Sequence, residues 1–235
     1  MNIEHGLKML AEQGLNMFAA LELDGLPHAF NQAARTSGIR IEDYSRLLLF
    51  GHGGNRMWKA LNKHGMTGTD PVDHHSVFHV VRFVQRYLDA CPYRILYPGN
   101  IPIPLQQLGS LAGWHHCSPL GIGVNGTYGP WFGYRAVVLV RAGLPFMTES
   151  PAPSPCEQCA DKPCISVCPA SALSAGAPPD VGACIEYRMQ TDSTCALKCL
   201  ARLICPIGTR FRYCDEQVRY FYGRSLESIK AFQAE

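Results

Sequence analysis

A marked excess of either charge is missing from this chain. Its 235 residues set 21 Lys and Arg against 19 Asp and Glu, a formal net charge of +2, so no field draws it to nucleic acid. Long apolar runs are missing too. None approaches the ~20 residues that span a bilayer, and the opening MNIEHGLKMLAEQG carries charges where a secretory leader needs an apolar stretch. Internal repeats and low-complexity tracts are absent as well. The expectation is a cytoplasmic globular protein with neither nucleic acid nor membrane as partner. A hydrophobic content of 47% over this length suits one main domain with a small appended module.

Cysteine, by contrast, is abundant and unevenly spread. Nine of the eleven (Cys156, Cys159, Cys164, Cys168, Cys184, Cys195, Cys199, Cys205 and Cys214) fall in the last 80 residues. In a reducing compartment such density favours metal or cluster ligation over disulfides. The run CEQCADKPCISVCP has the spacing C-x2-C-x4-C-x3-C-P. Three thiolates from one tight turn can cap three irons of a cubane while a short helix carries the fourth away. The bacterial C-x2-C-x2-C-x3-C-P run follows the same logic, its last cysteine serving a second cluster. Structural zinc sites usually present two separated C-x2-C pairs instead, so the spacing favours iron-sulfur.

A second, irregular set follows in Cys184, Cys195, Cys199 and Cys205, the last again before proline. If the exchange known from two-cluster ferredoxins holds, Cys156, Cys159 and Cys164 share a cluster with Cys205, and Cys184, Cys195 and Cys199 share another with Cys168. Two 4Fe-4S clusters are expected, one at minimum. Cys91, Cys117 and Cys214 read as ordinary small core residues.

Ahead of the cysteines, short apolar runs at 15–23 and 45–54, YRILYPG and GYRAVVLVRAG read as strands. NRMWKALNKHG, with Gly65 as its stop, reads as a helix, as does PIPLQQLGSLAGW. In TDPVDHHSVFHVVRFVQRYL, Asp70 is the expected N-cap, Pro71 lies in the first turn and Asp73 near the positive end of the dipole. Val77, Val80, Val81, Val84 and Leu88 are its expected apolar face. Strands alternating with helices indicate an α/β layered fold. The Pro-rich stretch 144–155 sets the expected organisation: residues 1–150 as the α/β domain, 151–215 as the cluster segment, and 216–235 packing back on the first domain.

Three further features have competing readings. GHGGN, after a strand and before a helix, suits a phosphate cradle, but it lacks a nucleotide fingerprint, which favours a plain tight turn. The pairs His74/His75 and His115/His116 invite a metal reading, yet adjacent side chains point apart, so they read as pocket lining or surface. YGPWFGYR concentrates aromatics, glycine and one arginine, as suits a flat cofactor or a core strand end.

On these residues a resemblance can be stated. TDPVDHHSVFHVVRFV, YGPWFGYRAVVLVRAGLP and RYCDEQVRYFYG resemble stretches of the cobalamin-processing MMACHC (CblC) family. The cysteine segment behind such a domain resembles epoxyqueuosine reductase and the reductive dehalogenases. These join a cobalamin-binding, nitroreductase-like α+β fold to ferredoxin-type clusters. The resemblance implies a corrinoid held base-off, with no histidine donated to cobalt. It carries over Asp70, Pro71, Val72, Asp73, Gly129, Trp131, Phe132, Tyr134 and Arg135 as cofactor-binding residues. Arg135 matches an arginine that faces the thiol cosubstrate, and Tyr97 stands where the family has a histidine near cobalt; these two are the catalytic candidates. The family itself has no clusters. The expected activity is that of an oxidoreductase in which clusters, fed by an unidentified electron donor, reduce corrinoid cobalt for upper-ligand removal or for chemistry on a small substrate. The competing reading is an electron carrier or assembly protein without corrinoid.

Overall fold

Two strands whose core residues are wholly out of water form the centre of the structure. The computed structural model describes residues 3–66, 68–150 and 152–233. In chain order its elements are α1 (Ile3–Glu12), β1 (Met17–Leu21), α2 (His28–Thr36), β2 (Arg46–Gly53), α3 (Arg56–His64), α4 (Pro71–Tyr87), β3 (Tyr93–Tyr97), α5 (Leu105–Leu111) and β4 (Phe132–Val140). After these come α6 (Pro163–Ser166), α7 (Val181–Met189), α8 (Leu200–Leu203) and α9 (Asp215–Gln233). The sheet order is β1-β2-β4-β3, every neighbouring pair antiparallel. Leu47 to Phe50 of β2 and Ala136 to Val140 of β4 are all 0% exposed. Alternate residues of a strand face opposite sides, so a run buried throughout is covered on both faces.

The α4 helix begins where its sequence predicts, with Asp70 at the N-cap and Pro71 in the first turn. Asp70 caps through its carbonyl, which accepts the His74 N–H at 3.0 Å. Its buried stripe runs Val72, His75/Ser76, Val80, Phe83/Val84 and Tyr87. Val80, Val84 and Leu88 of the expected face are buried, but Val77 and Val81 are only partly so, because α1 presents Gly6 to the rings of Phe83 and Tyr87. A Cβ on Gly6 would stand 2.7 Å from Tyr87 Cγ and 2.8 Å from Phe83 Cε2, so the aromatic side of α4 is the one that packs closely. The α1 and α2 helices were not legible from the sequence pattern.

The chain separates into two units. The first comprises Met1–His115 and Phe132–Ala152, the second His116–Trp131 and Pro153–Glu235. This differs from the expected organisation at two places. Residues 116–131 group with the cysteine segment because two glycines let backbones meet: Gly129 (φ +60°) lies against Ile207 and Gly208, and Gly208 (φ +67°) against Tyr128, leaving no room for a Cβ at either. The C-terminal segment is likewise part of the second unit, as α9. Val218 on α9 joins Trp131 and Tyr213 in a small core, with Leu203, Phe211, Phe221 and Tyr222 packed around it. The cysteine segment, aperiodic in sequence, therefore has an apolar anchor supplied from outside its own span. Among the described residues no helix is long and apolar enough to cross a membrane.

Candidate functional site

In the second unit the eight cysteines between 156 and 205 are brought together as two groups. A pocket is lined by Cys156, Cys159, Cys164 and Cys205 with Pro163 and Ile207. Its turn is set locally: Lys162 takes a left-handed conformation (φ +37°) and donates from Nζ to the Cys159 carbonyl at 3.2 Å, and Pro163 opens α6. Burial pushes the Cys156 thiol up to about 11, assisted by repulsion from Cys205, Cys164 and Cys159. Cys164 is raised by burial and then by Cys205 and Cys159.

The other group is Cys168, Cys184, Cys195 and Cys199. Burial raises Cys184, with repulsion from Cys199, Cys168 and Cys195 adding to it. Burial also raises Cys199, with Cys195 contributing. Each thiol–thiol repulsion named here stays within its own group, and the groups are those of the ferredoxin exchange. Cys184 is placed by α7, whose N-cap Asp180 accepts the Ala183 N–H at 2.9 Å. Cys199 is itself the N-cap of α8, its Sγ accepting the Arg202 N–H at 3.4 Å.

All eleven cysteines are free of disulfides. Among the described residues no three His, Cys, Asp or Glu side chains are placed to share a single metal ion. A tetrahedral zinc needs four donors at about 2.3 Å from one centre. A four-iron cluster asks for a wider set, since each thiolate binds a different iron. The two tetrads fit the donor chemistry of such clusters.

The first unit holds a second candidate, built on β-bulges. In β4, Gly51 faces Tyr134 and Phe50 faces Ala136, so Arg135 is the extra residue of a bulge. In β3, Ile95 faces Val138 and Tyr97 faces Val137, a bulge that leaves Leu96 over. Bulges commonly re-aim side chains beside functional sites. Arg135 Nε donates to His52 Nδ1 at 2.8 Å, and His52 is 0% exposed. Gly133, opposite His52 in the ladder, makes the space: a Cβ there would lie 2.9 Å from Arg135 Nη2 and 3.1 Å from His52 Cε1.

Burial raises the Asp73 carboxyl, opposed by the charge of Arg135 and reinforced by that of Asp70. Burial also raises the Tyr97 phenol, opposed by Arg135 and reinforced by Asp73. Asp73, Tyr97 and Arg135 thus share one electrostatic neighbourhood. Pro71 and Val72 are buried at the start of α4, just before Asp73. Tyr134 stacks on Trp114 at 6.4 Å and meets His115 Nδ1 at 3.2 Å, and burial raises its phenol. Phe132 stands edge-on to Tyr134 at 5.7 Å.

Gly129 and Trp131, which the resemblance carries over as cofactor-binding residues, belong to the second unit. Trp131 is 0% exposed, and its ring lies 5.4 Å from Tyr213. The YGPWFGYR motif is therefore divided between two structural roles. His52 was missed because GHGG reads as a turn, whereas β2 continues through Gly53.

No known family profile and no curated protein matches the chain. Its likeness is to solved structures. Epoxyqueuosine reductase from Streptococcus thermophilus superposes with a TM-score of 0.55 at 14% identity, covering 89% of this chain and 67% of that one. A C. elegans B12-trafficking protein, CblC, a human MMACHC homologue, superposes at 0.50 with 13% identity, covering 94% and 92%. The mixed α/β fold of this chain is the fold of these two proteins, as the resemblance implies.

Proposed function

We propose that this chain is a corrinoid-binding iron-sulfur reductase. The observation that carries the cluster half is the sorting of eight thiols into Cys156/Cys159/Cys164/Cys205 and Cys168/Cys184/Cys195/Cys199. The corrinoid half is supported by a fold shared with a reductase and with a B12-trafficking protein. It is also supported by the donor and acceptor set of the first unit. A corrin ring is rimmed by amide side chains that both donate and accept; Arg135 offers donors, Asp73 acceptors and Tyr97 both. His52 holds the guanidinium through Nε and so fixes the plane in which Arg135 presents its charge. Bound clusters would supply single electrons, and a bound corrinoid a cobalt centre for upper-ligand removal or reduction of a small substrate. The protein's own contribution is to hold these groups and to orient Arg135.

Anaerobic iron and sulfide analysis, with a visible spectrum recorded before and after adding cobalamin, tests both halves. About eight irons per chain and a shift of the cobalamin bands are expected. Cys164→Ser should lower the count to about four, since it removes a soft ligand from one tetrad, while cobalamin still binds. Iron without any corrinoid shift would make the chain an electron carrier or assembly protein; no iron would overturn the cluster reading.

A further inference from the structure

Two arginines of the second unit, Arg188 buried and Arg202 partly buried, lie beside the cysteine tetrads with no carboxylate among the described residues to answer them. Arg188 is 8% exposed. It lies four residues after Cys184 on α7, hence on the same face. Its Nη1 donates to Ser225 Oγ at 3.1 Å and its Nη2 to the carbonyls of Tyr222 at 3.0 Å and Ala196 at 3.3 Å, while Nε is buried without a partner. Arg202 sits on α8, three residues after Cys199 and three before Cys205. Its Nε and Nη2 both donate to the Pro130 carbonyl, at 3.2 and 2.6 Å, and its guanidinium covers Trp131 at 4.8 Å and Tyr213 at 5.0 Å. Among the described residues neither has an acidic side chain within ion-pair distance. The α9 helix ties them together, since the Tyr222 hydroxyl bonds to both Arg202 and Cys199 while the Tyr222 carbonyl holds Arg188.

Taking a cation out of water without a counter-ion is costly. Carbonyls and aromatic faces offset that only in part. Four thiolates around a four-iron core form a net dianion that becomes a trianion on taking up one electron. We propose that Arg188 and Arg202 are built as the counter-charges of a cluster bound by Cys168, Cys184, Cys195 and Cys199, and that they favour its reduced state. The inference rests on the cluster reading above. The step is a one-electron uptake at the cluster from an external one-electron reductant, with no bond made or broken in the protein. Arg202 stands in sequence between ligands of both tetrads, and its charge reaches Cys205 of the first as well as Cys199 of the second.

The test is a redox titration with dithionite and mediators, followed by electron paramagnetic resonance on the anaerobically reconstituted full chain. The signal of the second cluster is identified by its loss in Cys184→Ser. Arg188→Gln and Arg202→Gln should each move that midpoint to more negative potential by at least a tenfold change in the one-electron equilibrium, about 59 mV. Arg188→Lys and Arg202→Lys should recover at least half of the change, since they restore charge but not the fork. Unmoved midpoints in Gln variants with full iron would overturn the proposal, as would a change that Lys does not recover. Loss of iron in both Gln variants but neither Lys variant would support it as a requirement for charge in assembly; loss in all four would assign the arginines to packing and overturn it. Failure of the unaltered chain to take up iron would instead remove the cluster reading itself.

Discussion

Arg135 and Trp131 lie four residues apart, and the fold gives them unlike consequences. Arg135 is carried out of the ladder by a bulge and held by His52. Arg135→Ala and His52→Ala are therefore expected to weaken cobalamin affinity at least several-fold with little loss of iron, as measured by optical titration. Trp131 fills a core with Tyr213 and Val218 under the Arg202 guanidinium. Trp131→Ala is expected to cost about 3–5 kcal/mol in the second unit, visible as earlier denaturant unfolding and poorer cluster retention. A third residue sets an acid limit. Burial lowers His79 to about 4, with His75, Arg82 and His64 adding repulsion. A depressed imidazole contributes stability above its unfolded value near 6.5 that is lost as pH falls toward the folded value. Over pH 6.5 to 4, His79→Gln should flatten the decline of the thermal midpoint; an identical decline in both proteins would show that His79 does not set it.

The elements show which patterns a sequence can reveal. The four strands were legible because their apolar runs are bounded by turn residues, and α4 because Asp70, Pro71 and Asp73 mark its start. Val80, Val84 and Leu88 of its expected face are buried, whereas Phe83 and Tyr87 are buried in place of Val77 and Val81, a choice that valine spacing does not carry because it depends on Gly6 of α1. Gly6→Ala should cost about 1–3 kcal/mol, since the added methyl meets two buried rings. A thermal melt unchanged by that substitution would show that α1 can withdraw without cost. The grouping of the cysteines follows their spacing, with a proline after Cys168 and after Cys205. His52 was not legible, since a glycine-flanked histidine looks the same in a turn and at a strand end. Arg188 and Arg202 were also hidden, because a charged residue in an aperiodic segment reads as surface until the aromatic groups around it are placed.

For the whole molecule, the second unit combines short helices, a small core and two sets of thiols raised by burial and mutual repulsion. Metal binding to such a segment is coupled to its folding. Removal of iron by a chelator under reducing conditions should therefore cost amide-exchange protection across 156–205 and in 125–131, whereas β2 and β4 keep theirs; uniform loss, or none, would contradict that division of stability. The path of the chain adds a constraint of another kind. It passes from one unit to the other at 115/116, returns at 131/132 and passes over again at 152/153, so neither unit is a continuous stretch of sequence. No single cut yields the two halves. A fragment ending near residue 150 would keep Trp131 but lose the Tyr213 and Val218 that cover it, and a fragment beginning there would lack the tryptophan beneath Arg202. Such a protein cannot be exchanged between genes as two cassettes joined at a linker. Shuffling, tagging or truncation must respect the loop at 116–131, and a functional dissection should proceed by point substitution.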